Sequence, residues 1–255
     1  MTREQRLVFG EDAELYDRAR PSYPAALIDD VVNLVGQDSR ALDAGCGTGK
    51  ATVLLAARGL SGVGVEADPA MAAVARRNLA ATPGWRVDVS GFEAWSPSPD
   101  DGPLDLIVSA QAWHWFDPNV RFRKAHELLR PGGWLALWWN GTAVTDEPGR
   151  QAIDAVYERL APEIVHRGRV GHPVPVFEPM PEGASFGTPV ERSYPWSKTY
   201  TAATWCDLMR TSSDHRMLPE ERRERLLEAL TDAIQSNGGT YEHPSVCGLW
   251  AAERL

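Results

Sequence analysis

The 255-residue chain reads as an α/β protein with a mainly parallel sheet covered by helices on both faces. Three observations predict this. Short apolar stretches alternate with helical stretches between residues 24 and 140. Glycine or proline punctuates most of the junctions between them. A glycine cluster follows the first apolar stretch, where an open parallel sheet places its ligands.

Taken in order, the first element spans Pro24 to Val35. Leu27, Ile28, Val31, Val32, Leu34 and Val35 share one helical face, and Gly36 is placed to end it. Arg40–Ala44 reads as a buried strand, followed by the glycine cluster and a helix over Lys50–Arg58 closed by Gly59. Gly62–Glu66 is the second strand; Asp68 caps the next helix, with Pro69 at its first position, and that helix runs to Leu79. Pro83-Gly84 turns into a third strand, Trp85–Val89. Ser96-Pro-Ser-Pro-Asp-Asp-Gly-Pro103 carries loop chemistry, and Leu104–Ser109 is the fourth strand. A helix over Asn119–Leu129 is expected to stop at Pro131-Gly132-Gly133, before a fifth strand at Trp134–Trp139.

Beyond Asn140 the rhythm breaks. A helix over Arg150–Leu160, a proline-rich stretch from His172 to Pro195 holding a strand at Ala184–Tyr194, and helices over Thr201–Arg210 and Pro219–Gln235 precede a last strand at Tyr241–Ala252, which Pro244 weakens. This half is expected to complete the sheet and to supply a helical or loop-rich cap over one edge.

Composition narrows the function. A net charge of −9 argues against a protein that grips a nucleic-acid backbone. Its three cysteines (Cys46, Cys206, Cys247) include no C-x-x-C pair, which predicts reduced thiols in the cytoplasm rather than a disulfide framework or zinc ribbon. The N-terminal stretch lacks an apolar signal-peptide core and no apolar run is long enough to span a membrane, so a soluble chain is expected. His166 and His172 lack the partners a metal site needs, so no metal is expected.

The chemistry-bearing residues fall at strand ends. Asp43-Ala-Gly45-Cys-Gly47-Thr-Gly49 follows the first strand, and three alternating glycines allow a tight turn and close approach to a ligand, with amide N–H groups expected to point outward. Glu66 ends the second strand, where a carboxylate can accept both hydroxyls of a ribose. A glycine turn followed about 20 residues later by an acid suits a cofactor carrying adenosine. The G-x-G-x-G spacing departs from the dinucleotide G-x-G-x-x-G. A phosphate-binding P-loop is excluded by Ala44 and Ala51, where it requires glycine and Ser or Thr.

Asp43–Gly49, Gly64-Val-Glu66-Ala-Asp68-Pro-Ala-Met71, Ser90-Gly-Phe-Glu93, Asp105-Leu-Ile-Val-Ser109 and Leu129-Arg-Pro-Gly-Gly133, in that order, resemble the successive motifs of class I S-adenosylmethionine-dependent methyltransferases. Phe9-Gly, Tyr16-x3-Arg20-Pro-x-Tyr-Pro24 and Gln111-Ala-Trp-His-Trp115 resemble a bacterial branch of that superfamily, one with small-molecule and uncharacterised members. The resemblance covers Phe9 to Asn140. It implies a doubly wound, mainly parallel seven-stranded sheet of Rossmann-like type in one domain over 1–255: an N-terminal lid and helix (1–36), a cofactor-binding core (37–140), and sheet completion with a substrate cap (141–255).

The resemblance also implies S-adenosylmethionine as cofactor and assigns residues to it. Asp43, Gly45, Cys46, Gly47 and Gly49 would hold its methionine end and Glu66 its ribose. Ala67 and Met71 would flank the adenine, with Phe92 and Glu93 at the other edge. Ser109 to Gln111 would line the face of methyl transfer, and Tyr16 and Arg20 would close the site, Arg20 pairing with the cofactor carboxylate. His114 is the candidate general base, the alternative being that Trp113-His114-Trp115 packs its loop; Asn140, at the end of the fifth strand, is a candidate contact to the acceptor. The expected reaction is methylation of an O, N or carboxylate of a small molecule, with no nucleic-acid or membrane partner and with monomer and homodimer both open. The alternatives are a non-methylating use of the cofactor, such as cyclisation, and a non-catalytic cofactor-binding partner protein.

Overall fold

The computed structural model describes residues 9–143, 148–165, 180 and 183–255. The helices are α1 (Ala13–Ala19), α2 (Ala25–Val35), α3 (Lys50–Ala56), α4 (Pro69–Asn78), α5 (Arg121–Leu128), α6 (Pro148–Leu160), α7 (Pro162–Val165), α8 (Ala202–Arg210), α9 (Ser213–Arg216) and α10 (Glu220–Ser236). The strands are β1 (Arg40–Ala44), β2 (Ser61–Glu66), β3 (Trp85–Val89), β4 (Leu104–Ala110), β5 (Leu129–Thr142), β6 (Val190–Thr201) and β7 (Thr240–Glu253). They form one seven-stranded sheet in the order β3-β2-β1-β4-β5-β7-β6. The pairs β3/β2, β2/β1, β1/β4 and β4/β5 are parallel. The bonds Gly132 N–H to Arg254 O (3.0 Å) and Ala143 N–H to Pro244 O (3.0 Å) put β7 antiparallel to β5, and Gly187 N–H to Glu253 O (2.8 Å) starts the antiparallel pairing on its other side. The expected doubly wound α/β architecture is therefore present, and the order reverses between β1 and β4, the switch point at which such sheets bind ligands.

The chain divides into two compact units. The first comprises Ser22–Asn140, the described part of Val176–Tyr194, and Cys247–Leu255. Its central strands are buried on both faces, as a parallel sheet covered by helices requires; β1 alone carries Ala41, Leu42, Asp43 and Ala44 at 0% exposure. Leu42, Ala44, Val63, Val65 and Ile107 join Phe92, Trp113, Phe122 and Trp250 in the largest core cluster, and Ala72, Ala75, Leu79 and Val87 form a second with Cys46. α4 starts where expected: Asp68 accepts from Ala70 N–H (2.8 Å) and Met71 N–H (3.0 Å). α2 buries Leu27, Ile28, Val31 and Val32 and ends at Gly36 with φ 89°.

The second unit contains α1, α6 to α10 and the portions of β5, β6 and β7 nearest to them in sequence. Tyr157, Trp205, Leu226, Leu227, Leu230, Ile234 and Tyr241 lie in its apolar core. α1, capped by Asp12 through Leu15 N–H (2.8 Å), was not expected, because seven residues are too few to show a helical period.

Two boundaries differ from expectation for clear reasons. Pro131, Gly132 and Gly133 lie inside β5 rather than before it, because both glycines pair with Arg254, the residue just after β7. β6 begins at Val190, six residues after the expected start at Ala184, and runs through Pro195; the missing N–H is tolerable because β6 is an edge strand. Pro244 lies within β7, where its carbonyl still accepts from Ala143 N–H. His166 and His172 lie outside the described residues, as does part of the proline-rich stretch. Among the described residues no helix is long and apolar enough to cross a membrane, and no group of three or more side chains could hold a metal ion.

Candidate cofactor and acceptor site

The site begins with a carboxylate that the fold has taken out of water. Asp43 is fully buried near the end of β1, and its Oδ2 accepts the Thr52 hydroxyl at 2.6 Å. Its Oδ1 is buried without a hydrogen-bond partner among the described residues. Burial, and after it the neighbouring charge of Glu66, push the Asp43 carboxyl up to about 7, against the pull of Thr52. Glu66, at the end of β2, is raised as well, chiefly by burial. Its Oε2 accepts Gly47 N–H at 2.9 Å and its Oε1 accepts Asp68 N–H at 2.8 Å, which fixes the carboxylate against the glycine loop.

The loop is shaped by contacts that only glycine permits at two positions. Gly45 has φ +72°, and a Cβ there would lie 2.5 Å from the Ala112 methyl, beyond β4. Gly49 has φ +83° and sits just ahead of α3. The expectation that the loop amides point outward fails at four positions. Gly45 and Cys46 N–H both donate to Val65 O (2.8 and 3.0 Å), Gly47 N–H to Glu66, and Gly49 N–H to Cys46 O (2.8 Å). The loop crosses close over the end of β2; that strand consumes three of the donors and the loop itself takes the fourth. Such a loop does not make a phosphate nest. A buried carboxylate, Asp43, and a half-buried one, Glu66, with spare acceptor capacity instead call for a positive charge and hydroxyl donors.

That donor set fits S-adenosylmethionine, whose ammonium and sulfonium are cationic and whose ribose carries two hydroxyls. Thr48 adds a buried Oγ1 without a partner among the described residues. Asn78 holds the loop by donating to Thr48 O at 2.9 Å. Thr48, Thr52 and Asn78 were not singled out from the sequence. Thr52 lies in the first turn of one helix and Asn78 at the end of another, and neither position has a sequence pattern that ties it to the loop.

Met71 is buried, its methyl 3.5 Å from where a Gly47 Cβ would stand, and Ala67 beside it is exposed. Cys46 is buried against Gly64, where a Cβ would fall 2.9 Å from its sulfur; burial and then the Asp43 and Glu66 charges hold the thiol well above its ordinary value, which makes it unreactive. Phe92 is 1% exposed and packs on Phe116 (4.9 Å between centroids) and Trp113 (6.0 Å). Glu93 Oε1 accepts Asp117 N–H at 2.9 Å.

At the ends of β4 and β5, Ser109 is fully buried and donates its hydroxyl to Ala44 O (2.9 Å), so the side chain ties strands together. Gln111 holds φ +63°, an uncommon conformation for a non-glycine residue, with its N–H on Trp138 O at 3.0 Å. Asn140 Nδ2 donates to Ser22 O at 3.4 Å; that carbonyl demands a donor, which leaves Oδ1 buried and without a partner among the described residues. His114 lies in a 3₁₀ turn, Trp113–Trp115, and its Nδ1 accepts the Trp139 indole N–H at 3.3 Å. The neutral imidazole therefore carries its proton on Nε2. The two N-terminal candidates belong to the second unit. Arg20 donates to Thr211 Oγ1 (2.8 Å), Thr211 O (3.0 Å) and Ser212 Oγ (3.3 Å), and its guanidinium lies 5.3 Å from the Tyr16 ring centroid.

The fold is of the doubly wound α/β class, with the glycine loop and Glu66 at its switch point. Residues 41–133 match the family described as a methyltransferase domain. The chain is 33% identical over 252 residues, 96% of each sequence, to the uncharacterised methyltransferase Rv3342 of Mycobacterium tuberculosis. Among solved structures it is similar to a candidate type II methyltransferase from Anaeromyxobacter dehalogenans (TM-score 0.58, 23% identity, 92% of this chain and 97% of that one). It is also similar to mycolic acid cyclopropane synthase CmaA1 complexed with SAH and CTAB (TM-score 0.51, 19% identity, 89% and 83%). The chain belongs to the class I S-adenosylmethionine-dependent methyltransferases.

Proposed function

We propose that this enzyme transfers the methyl group of S-adenosylmethionine to an oxygen, nitrogen or carboxylate of a small molecule by in-line displacement. The observation that carries the reading is the pair of carboxylates, Asp43 buried and Glu66 half-buried, around a glycine loop four of whose amides are already spent. In it Asp43 receives the cofactor's ammonium, which restores its ionised form, and Glu66 accepts the ribose hydroxyls while keeping its two backbone donors. Gly45, Cys46, Gly47 and Gly49 supply the close backbone approach. Met71 and Ala67 flank the adenine; Phe92 and Glu93 stand at its other edge, and Glu93 keeps one carboxylate oxygen to accept from the 6-amino group.

When bound, the cofactor supplies a methyl group already activated by the sulfonium. The protein's task is to hold the nucleophile close and in line, which can contribute roughly 7–11 kcal/mol toward the barrier. Gln111, just past the end of β4, presents the face of methyl transfer, and Ser109 supports it by tying β4 to β1 through Ala44 O. Asn140 Oδ1, without a partner among the described residues, accepts from an N–H or O–H of the acceptor. His114 first offers a hydrogen bond from Nε2; it serves as a base at Nδ1 only once the Trp139 donor is released.

Residues 37–140 act as the cofactor-binding core, with 1–36 and 141–255 setting acceptor choice. The net charge of −9 and the three buried free thiols support a cytoplasmic enzyme acting on metabolites rather than nucleic acid. The test is incubation with S-adenosylmethionine and a panel of small carboxylates, amines and phenols, read by mass spectrometry. Acceptor-dependent S-adenosylhomocysteine with a methylated product supports the proposal; methylthioadenosine instead would establish a different use of the cofactor.

A further inference from the structure

The segment after β3 is pinned from α5 by one ammonium. Lys124 Nζ donates to Glu93 O at 2.8 Å and to Trp95 O, and it lies 5.7 Å from the Phe92 ring centroid. Its three protons thus meet two carbonyls and an aromatic face. Burial lowers the Lys124 ammonium from its ordinary value, against the charges of Glu93 and Glu127. Phe92 and Trp95 anchor the segment by their side chains, both buried in the core, while its backbone is held at other points. Ser90 N–H reaches Glu66 O (2.9 Å), Ala94 and Trp95 N–H turn back to Gly91 O (3.1 and 3.0 Å), and the Trp95 indole reaches Asp88 (2.9 Å). None of these fixes the carbonyl of Glu93. Without Lys124 the carbonyls of Glu93 and Trp95 lose this donor beside an apolar cluster; Phe92 and Trp95 stay anchored in that cluster by packing, and the restraint that is lost is the one on the peptide unit of Glu93 between them.

We infer that Lys124 is a positioning residue for base recognition: it sets the Phe92–Glu93 backbone so that the Glu93 carboxylate, held on one oxygen by Asp117 N–H, reads the 6-amino group of the cofactor's adenine. The inference rests on the placement of Phe92 and Glu93 at the adenine edge in the proposed function. It assigns Lys124 no contact with cofactor or acceptor. A lysine outside the glycine loop thereby governs which purine the enzyme accepts.

The test compares binding of S-adenosylhomocysteine and S-inosylhomocysteine, which carries an oxo group in place of the 6-amino group, by calorimetry. The proteins are wild type, Lys124→Met, Lys124→Gln and Glu93→Gln. A hydrogen bond to a charged group sets the scale, so the wild type should prefer the adenosyl ligand by roughly tenfold or more, and Lys124→Met should lose most of that preference. A merely structural role would lower the melting temperature and weaken both ligands alike, leaving the ratio unchanged. Lys124→Gln, which keeps a donor on a shorter stem, should fall between, and it carries the test if the methionine variant does not fold. If Glu93→Gln shifts the ratio while both Lys124 variants keep it, the role of Lys124 is overturned and the adenine-edge placement stands. If none of the three variants shifts it although all bind, the placement itself falls and the inference with it.

Discussion

Replacing Asp43 by asparagine tests the electrostatic account of the site at its centre. The carboxyl is fully buried, keeps one hydrogen bond to Thr52 at 2.6 Å, and is raised from 3.8 to about 7 by burial and then by Glu66. A carboxyl raised in the folded state contributes stability that is fully present below the unfolded value near 4. That contribution is lost as pH rises toward 7, and the loss levels off above it. Within this window each pH unit is worth about 1.4 kcal/mol, so the ligand-free enzyme should lose on the order of 3 kcal/mol between pH 5 and pH 8 through this one group. Asparagine has nearly the same shape, keeps an oxygen for Thr52 and does not ionise. Asp43→Asn should therefore gain on the wild type as pH rises from 5 to 8 while binding S-adenosylmethionine at least about tenfold more weakly, because the ammonium loses its counter-charge. Urea unfolding of both ligand-free proteins at pH 5, 6, 7 and 8, with calorimetric binding at pH 8, measures both effects. A stability gap that does not widen with pH, or undiminished binding, would refute the reasoning.

Other consequences are as direct. Gly45→Ala puts a Cβ 2.5 Å from Ala112 at φ +72°, and should cost about 1–3 kcal/mol and depress cofactor affinity; unchanged melting and affinity would show that the loop adapts. Asp101, 1% exposed, accepts from Arg86 at 2.7 Å and Arg40 at 2.6 Å, and these guanidiniums hold its carboxyl far below the usual range. Asp101→Asn should cost about 2 kcal/mol at pH 7, discounted because both arginines are partly exposed. Since this carboxyl is lowered, its stabilisation is present above pH 4 and lost below it, so the gap to wild type should close in acid unfolding.

Much of the parallel sheet was legible because buried strands between capped helices leave a local signal. Asp68-Pro69 marks the start of α4 and Arg40–Ala44 is β1 as read. The antiparallel half was harder. Pro195 and Pro244 break the strand pattern locally, and they are admitted only by an edge position and by pairing with residues about a hundred positions away. Asp43, the glycines and Glu66 announce themselves by residue type at strand ends. The orientation of the loop amides does not, because Val65 O takes two of them across the sheet. Lys124 looks like one charge on an amphipathic helix until the fold brings Glu93 and Trp95 to it.

The central claim is that Asp43, Glu66 and the glycine loop bind S-adenosylmethionine. Its most direct test is calorimetric titration of the purified enzyme with S-adenosylmethionine, S-adenosylhomocysteine and NADH, alongside Glu66→Ala. Both sulfur ligands should bind saturably, NADH should not bind, and the variant should lose at least about tenfold in affinity. Folded enzyme that binds neither sulfur ligand, or binds them equally well without Glu66, would contradict it.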